Sequence, residues 1–138
     1  MDRLERERGL LQKVVAVAAL IPVSGGLFGT LFGPTLTGDS GVSVSGDSHY
    51  RYLSGLLLGV GLLFWSCIPA IEAKTGRFQC LTLIVVAGGL ARLVGLGLTG
   101  VPSLIMLGAL AMELVVTPVL CLWQGRVARQ YRPSRATP

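Results

Sequence analysis

The sequence predicts an all-α integral membrane protein: an antiparallel, up-and-down four-helix bundle forming a single transmembrane domain over residues 1–138, with both termini cytoplasmic. Three observations carry that expectation. Of 138 residues, 51% are hydrophobic and only 14% charged, and the mean hydropathy is +0.67, whereas charged residues make up about a quarter of a typical soluble domain. The apolar residues gather into four blocks close to the ~20 residues that carry a helix across a ~30 Å hydrocarbon core. Lysine and arginine crowd both termini and the connection between the second and third blocks, leaving Arg51 alone on the other side. The positive-inside rule then places the termini in the cytoplasm, in agreement with an even number of spans.

The first block, about residues 10–32, follows a head of mixed charge, Asp2-Arg-Leu-Glu-Arg-Glu-Arg8. A secretory signal would have a purely basic start and a small-residue cleavage site, so a retained helix is expected. Gly25, Gly29 and Gly33 recur every fourth residue, which suits the close approach of a neighbouring backbone, although glycine is common in membrane helices generally. Pro22 lies inside the block and predicts a kink. An external loop over 33–49 is read from its Pro, Thr, Gly and Ser content, with Asp39 and Asp47 its only charges. The alternation Val42-Ser-Val44 leaves a short hairpin as the other possibility there.

The second block, about residues 50–71, opens on His49-Tyr-Arg-Tyr52, where rings fit the headgroup belt and Arg51 can snorkel to water. Gly55 and Gly59 form another packing face. A charged turn, Glu72-Ala-Lys-Thr-Gly-Arg77, leads to the third block, about 78–98, in which Gly88, Arg92, Gly95 and Thr99 fall on one helical stripe. The turn Thr99-Gly-Val-Pro-Ser103 is short enough to force an antiparallel neighbour, the fourth block at about 104–123. Glu113 sits near its middle, with Met106, Ala109 and Thr117 on the same side and Pro118 just beyond. Residues 124–138 read as a basic cytoplasmic tail.

Arg92 and Glu113 are the informative residues. An ionised side chain at mid-bilayer costs at least about 2.5–3.5 kcal/mol, so each needs a partner, and the simplest partner for each is the other. At ~1.5 Å per residue, both lie about 10–15 Å below the outer ends of their helices. The expected site is therefore a polar pocket with His49, Arg51, Tyr52 and Ser54 at its mouth and Arg92 and Glu113 at its floor, able to bind an anionic or hydroxylated head group. Two readings of the pair stand: a recognition point, or an ion pair that only sets helix register. If catalysis occurs, Glu113 is its proton acceptor and His49 or Tyr52 the second proton-handling group.

Little else in the chain carries chemistry. Cys67, Cys80 and Cys121 are odd in number and fall on the reducing side, so they read as small buried hydrophobes and not as disulfides. A metal would lack a fourth ligand there, and no phosphate loop, nucleophile elbow or zinc motif is present. Neither a cofactor nor a metal is expected. The net charge of +5 reads as a topology signal, with membrane lipids as partners and no nucleic acid, since no recognisable binding module accompanies the tail.

The segment His49-Tyr-Arg-Tyr-Leu-Ser-Gly-Leu, the run Gly-Gly-Leu-Ala-Arg92, and Glu113-Leu-Val-Val-Thr-Pro118 closed by Leu122-Trp-Gln124 resemble a bacterial family of four-helix membrane proteins catalogued as domain of unknown function 4345. The resemblance spans nearly the whole chain. It implies an inner-membrane protein with no assigned activity, and it implies that Arg51, Arg92 and Glu113 are the family's polar positions.

Two function classes follow. One is a non-enzymatic accessory subunit or binder of a lipid-like ligand, joined to a larger complex or to further copies of itself through the glycine faces. The other is a membrane-embedded enzyme or small carrier for a lipophilic substrate. A closed Arg92–Glu113 pair and open glycine faces favour the first. A cavity reaching Glu113 with His49 at its mouth favours the second.

Overall fold

The structure, a computed structural model, describes residues 2–37 and 41–131. Four helical rods in it are long and apolar enough to cross a membrane, and the described residues contain no strand. Helix α1 is Arg3–Phe32, α2 Val44–Cys67 and α3 Thr75–Thr99. The fourth rod joins α4 (Leu104–Ala111), a π turn (Met112–Val116) and α5 (Thr117–Tyr131) without a break. Short 3-10 turns follow α1 and α2, at Gly33–Thr37 and Ile68–Ala70.

Three helices outrun their apolar blocks, each for a local reason. The charged head before residue 10 is helical from Arg3, its Glu7 and Arg8 being tied down by ion pairs. Helix α2 starts at Val44, inside the segment read as loop or hairpin. There Ser43 acts as an N-cap, its Oγ accepting from the Gly46 N–H at 3.1 Å while its carbonyl accepts from the Asp47 N–H at 2.9 Å. Asp47 adds a favourable negative charge to that first turn. The segment read as tail from residue 124 is helix to Tyr131, because Gln124, Val127 and Ala128 are buried. Asp39 and residues 132–138 lie outside the described residues.

The chain divides into two compact units, one of residues 16–66 and the other of the residues before and after them. In the 16–66 unit, α1 and α2 meet along a regular ladder of contacts. The Trp65 indole N–H donates to the Ala16 carbonyl at 3.1 Å, Gly61 faces Pro22 and Val23, Gly26 faces Leu58, and Gly29 faces Ser54 and Tyr50. Helix α1 runs unbroken through Pro22. The glycines that permit this contact differ from the expected set. Gly29 and Gly33 belong to both, Gly33 facing Asp47 and Arg51 of α2, but Gly26 replaces Gly25, whose Cβ would make only ordinary contact with Leu57 at 3.9 Å. On α2 the close approach is at Gly61, while Gly55 and Gly59 meet nothing within 4 Å. Four-residue spacing identified the kind of face but not which of two adjacent glycines lay on it.

The other unit packs the start of α1, the connection after α2, α3 and the fourth rod around Leu11, Val15, Ile71, Phe78, Leu81, Leu120 and Val127, all buried. Its polar side chains satisfy carbonyls that the end of α2 leaves without helical partners. Gln12 donates to the Ile68 carbonyl at 2.7 Å, Arg8 to the Pro69 carbonyl at 3.0 Å, and Gln124 to the Ile71 carbonyl at 2.7 Å and to the Thr75 hydroxyl at 3.0 Å. Arg8 also pairs with Glu72 at 2.8 Å. Glu7 accepts from the Trp123 indole at 3.3 Å and lies 3.6 Å from Arg126. The charges flanking the apolar blocks thus hold this unit together at one end.

A methyl group at Gly26 would collide with the backbone of Leu58 and come within 2.7 Å of the Ser54 carbonyl oxygen. Gly26→Ala is expected to cost about 1–3 kcal/mol through overpacking, and Gly55→Ala to stay within about 0.5 kcal/mol. Unfolding by sodium dodecyl sulfate in mixed micelles measures both, and equal losses at the two positions would refute the assigned face.

Candidate functional site

Arg92 and Glu113 meet, and the local sequence explains how they reach each other. Gly89, one turn before Arg92, is buried, and a Cβ there would lie 2.9 Å from the Glu113 Cβ and 2.8 Å from the Leu114 Cδ2. A side chain at 89 would push the two rods apart at the level of the charges. Opposite it, the fourth rod widens into its π turn, with Glu113 as the second residue. Pro118 supplies a physical reason, since it has no N–H for the Leu114 carbonyl one turn earlier and its ring crowds that carbonyl. In the wider turn the Met112 carbonyl accepts both the Thr117 backbone N–H and, at 2.9 Å, the Thr117 hydroxyl. Such turns frequently mark functional positions in helices.

The ion pair is bidentate and uses the side edge of the guanidinium. Nε donates to Glu113 Oε2 at 3.1 Å and Nη2 donates to Oε1 at 3.2 Å. Nη1 reaches the thioether sulfur of Met106, a weak acceptor. The Arg92 side chain is 34% exposed and that of Glu113 15%. Both carboxylate oxygens are therefore committed to one cation, and the charges cancel within the cluster. Among the described residues, its hydrogen bonds and ion pair involve only Arg92, Glu113 and Met106. Among the described residues, no group of three His, Cys, Asp or Glu side chains could hold a metal ion. The arrangement offers hydrogen-bond donors on Arg92 and, on Glu113, two oxygens that each already accept one N–H of the guanidinium.

The remaining expected site residues lie in the 16–66 unit, and two of them have structural duties there. Arg51 holds the C-terminal end of α1. Its Nη1 donates to the Thr30 carbonyl at 2.7 Å and the Leu31 carbonyl at 3.0 Å, and its Nε pairs with Asp47 at 2.8 Å. A cation on the last carbonyls of a helix is favoured by the helix dipole. Gly33, at φ +69°, ends the helix in the left-handed region. A Cβ on Gly33 would also strike the Asp47 carboxylate and the Arg51 guanidinium. Ser54 is buried against Gly29 and donates to the Tyr50 carbonyl at 2.8 Å. His49 and Tyr52 are exposed and, with Val44, Ser45 and Ser48, line an open depression along one face of α2.

Sequence reasoning placed Met106 on the Glu113 side of its helix but did not pair it with Arg92, and it missed the π turn. Thr117-Pro118, a hydroxyl followed by a proline just after the acid, was the available signal. Helical spacing from Arg92 selects Gly88, which has nothing within 4 Å among the described residues, whereas the packing uses its neighbour Gly89.

The family described as "Domain of unknown function (DUF4345)" matches residues 10–124. No curated protein and no solved structure matches the chain.

Because the pair is direct, Arg92→Leu and Glu113→Leu are each expected to strand an ionised partner in apolar surroundings and to cost about 2.5–3.5 kcal/mol of stability. The double replacement is expected to cost less than either single one. Losses that simply add, read from the same detergent titration, would rule out the coupling.

Proposed function

The chain belongs to the DUF4345 family, a domain of unknown function, and from that premise we propose a non-enzymatic protein of the bacterial inner membrane that serves as an accessory subunit or as the binder of a lipid-like molecule. The observation that carries this reading is the occupation of both Glu113 oxygens by one guanidinium. A carboxylate so engaged is a poor general base, whereas an arginine whose charge is already balanced can remain in apolar surroundings and still offer hydrogen bonds.

Four antiparallel spans with both termini cytoplasmic form the architecture of the proposal. The contact of Glu7 near the start of α1 with Trp123 and Arg126 near the end of α5 supports having both termini on one side. Apolar side chains are exposed along every rod, among them Val17, Leu83, Leu98, Leu104 and Leu122. These would face lipid acyl chains or further protein. Gly55 and Gly59 leave room on α2 for another helix, from a larger membrane complex or a second copy. A second reading, a small carrier with Glu113 as proton acceptor, draws on the π turn that holds the acid.

Native mass spectrometry of the protein extracted with its own lipids tests the proposal. A second chain or a stoichiometric lipid-like molecule is expected on the wild-type protein. It should be lost from the double Leu replacement at Arg92 and Glu113. A bare monomer in both cases overturns the reading.

A further inference from the structure

We infer that the free edge of the Arg92 guanidinium is a binding site for an uncharged lipophilic carbonyl compound. The inference rests on the ligand-binding part of the function proposed above and specifies the chemistry of the head group.

A guanidinium has five N–H donors. Glu113 takes one on Nε and one on Nη2, and the Met106 sulfur takes one on Nη1. One N–H on each Nη nitrogen remains without a protein acceptor among the described residues, on a side chain that is 34% exposed. In water such donors would simply be solvated. Inside a hydrocarbon core no water is at hand, and an unsatisfied donor is costly. Arg92 lies in the interior of a candidate span, seven residues before its last residue, Thr99. What meets its remaining N–H groups must therefore come from the bilayer and must accept hydrogen bonds.

Charge decides which acceptor fits. Arg92 and Glu113 together are neutral, so a bound carboxylate or phosphate would leave a net negative charge in the apolar layer, close to the Glu113 carboxylate. A neutral carbonyl oxygen avoids that cost and can accept from both Nη groups through its two lone pairs. A hydroxyl head group is disfavoured for a different reason. Its own O–H would need an acceptor, and both Glu113 oxygens already face the side edge of the guanidinium. The Met106 thioether, bordering the free edge, is a polarizable apolar wall suited to a flat carbonyl-bearing ring or an acyl ester.

The 13C-labelled methyl group of Met106 reports on this edge directly, with its NMR signal assigned by Met106→Leu. The wild-type protein in dodecyl maltoside, a detergent without carbonyls, is titrated with a decyl-substituted benzoquinone, with the corresponding hydroquinone under anaerobic conditions, and with decanoate. The quinone is expected to shift the Met106 signal saturably, and the hydroquinone and decanoate to bind at least about tenfold more weakly, the discrimination of roughly one to two hydrogen bonds. In Glu113→Gln, which removes the balancing charge, decanoate is expected to gain on the quinone. Diester and diether phosphatidylcholines locate a second source of the same chemistry, since a shift with the diester alone assigns the acceptor to bulk lipid esters and supports the inference. Equal affinity for quinone and hydroquinone, tighter binding of decanoate to the wild type, or no saturable shift overturns it. If instead the native spectra show a partner chain held through Arg92, this inference fails while the accessory-subunit reading survives.

Discussion

The energetic constraint on which this chain depends is that Arg92 carries a permanent charge in a segment otherwise built of Leu, Val, Ala and Gly. An arginine cannot escape by losing its proton, so the surroundings have to accommodate it. The chain answers with three features on two rods. Gly89 brings the rods together, the π turn presents Glu113, and Met106 borders the guanidinium. A buried ion pair adds little net stability compared with a hydrophobic contact of the same size.

The two polar clusters anchored by arginine differ in kind. Arg51 spends its donors on the final carbonyls of α1 and on Asp47, and it stabilises a helix end where those carbonyls have no intrahelical partners. Arg92 satisfies no backbone group. Among the described residues its partners are one carboxylate and one sulfur. Residue type alone could not separate these roles. Seen in the sequence, Arg51 stands at a polar, aromatic helix entry and Arg92 inside an apolar block, but neither setting names the groups that each would hold. The difference arises from what lies within a side chain's reach: the frayed end of a helix for one, the flank of another rod for the other.

The same contrast runs through the glycines. Gly26, Gly29, Gly61 and Gly89 each face a neighbouring helix so closely that a methyl group would collide with it: with backbone at Gly26, with the Ser54 side chain at Gly29, and with Val23 and Leu114 at Gly61 and Gly89. Gly55, Gly59, Gly88 and Gly95, spaced at least as regularly, have nothing within 4 Å among the described residues. Periodicity selects candidates at helical spacing, but adjacent positions such as Gly25 and Gly26 differ by about 100° around the axis. The crossing of two particular helices decides which of them points inward.

What the amino-acid sequence determined by itself is what depends on composition and spacing along one segment. It marked four apolar blocks long enough to span a bilayer, their glycine-bearing faces, and two opposite charges inside apolar blocks for which the simplest partner is each other. The segments resembling the domain family carried the assignment that the match over residues 10–124 now makes. Tertiary structure decided what depends on neighbours distant in the chain. It extended three helices beyond their apolar blocks through Ser43 as a cap, the ion pairs of Glu7 and Arg8, and the burial of Gln124. It turned Arg51 into a helix clamp and set Glu113 in a π turn against Arg92. The physical reason is range: hydropathy and helical period act within a few turns, whereas a donor is satisfied, or left free to bind, by whichever group the packing of separate helices sets beside it.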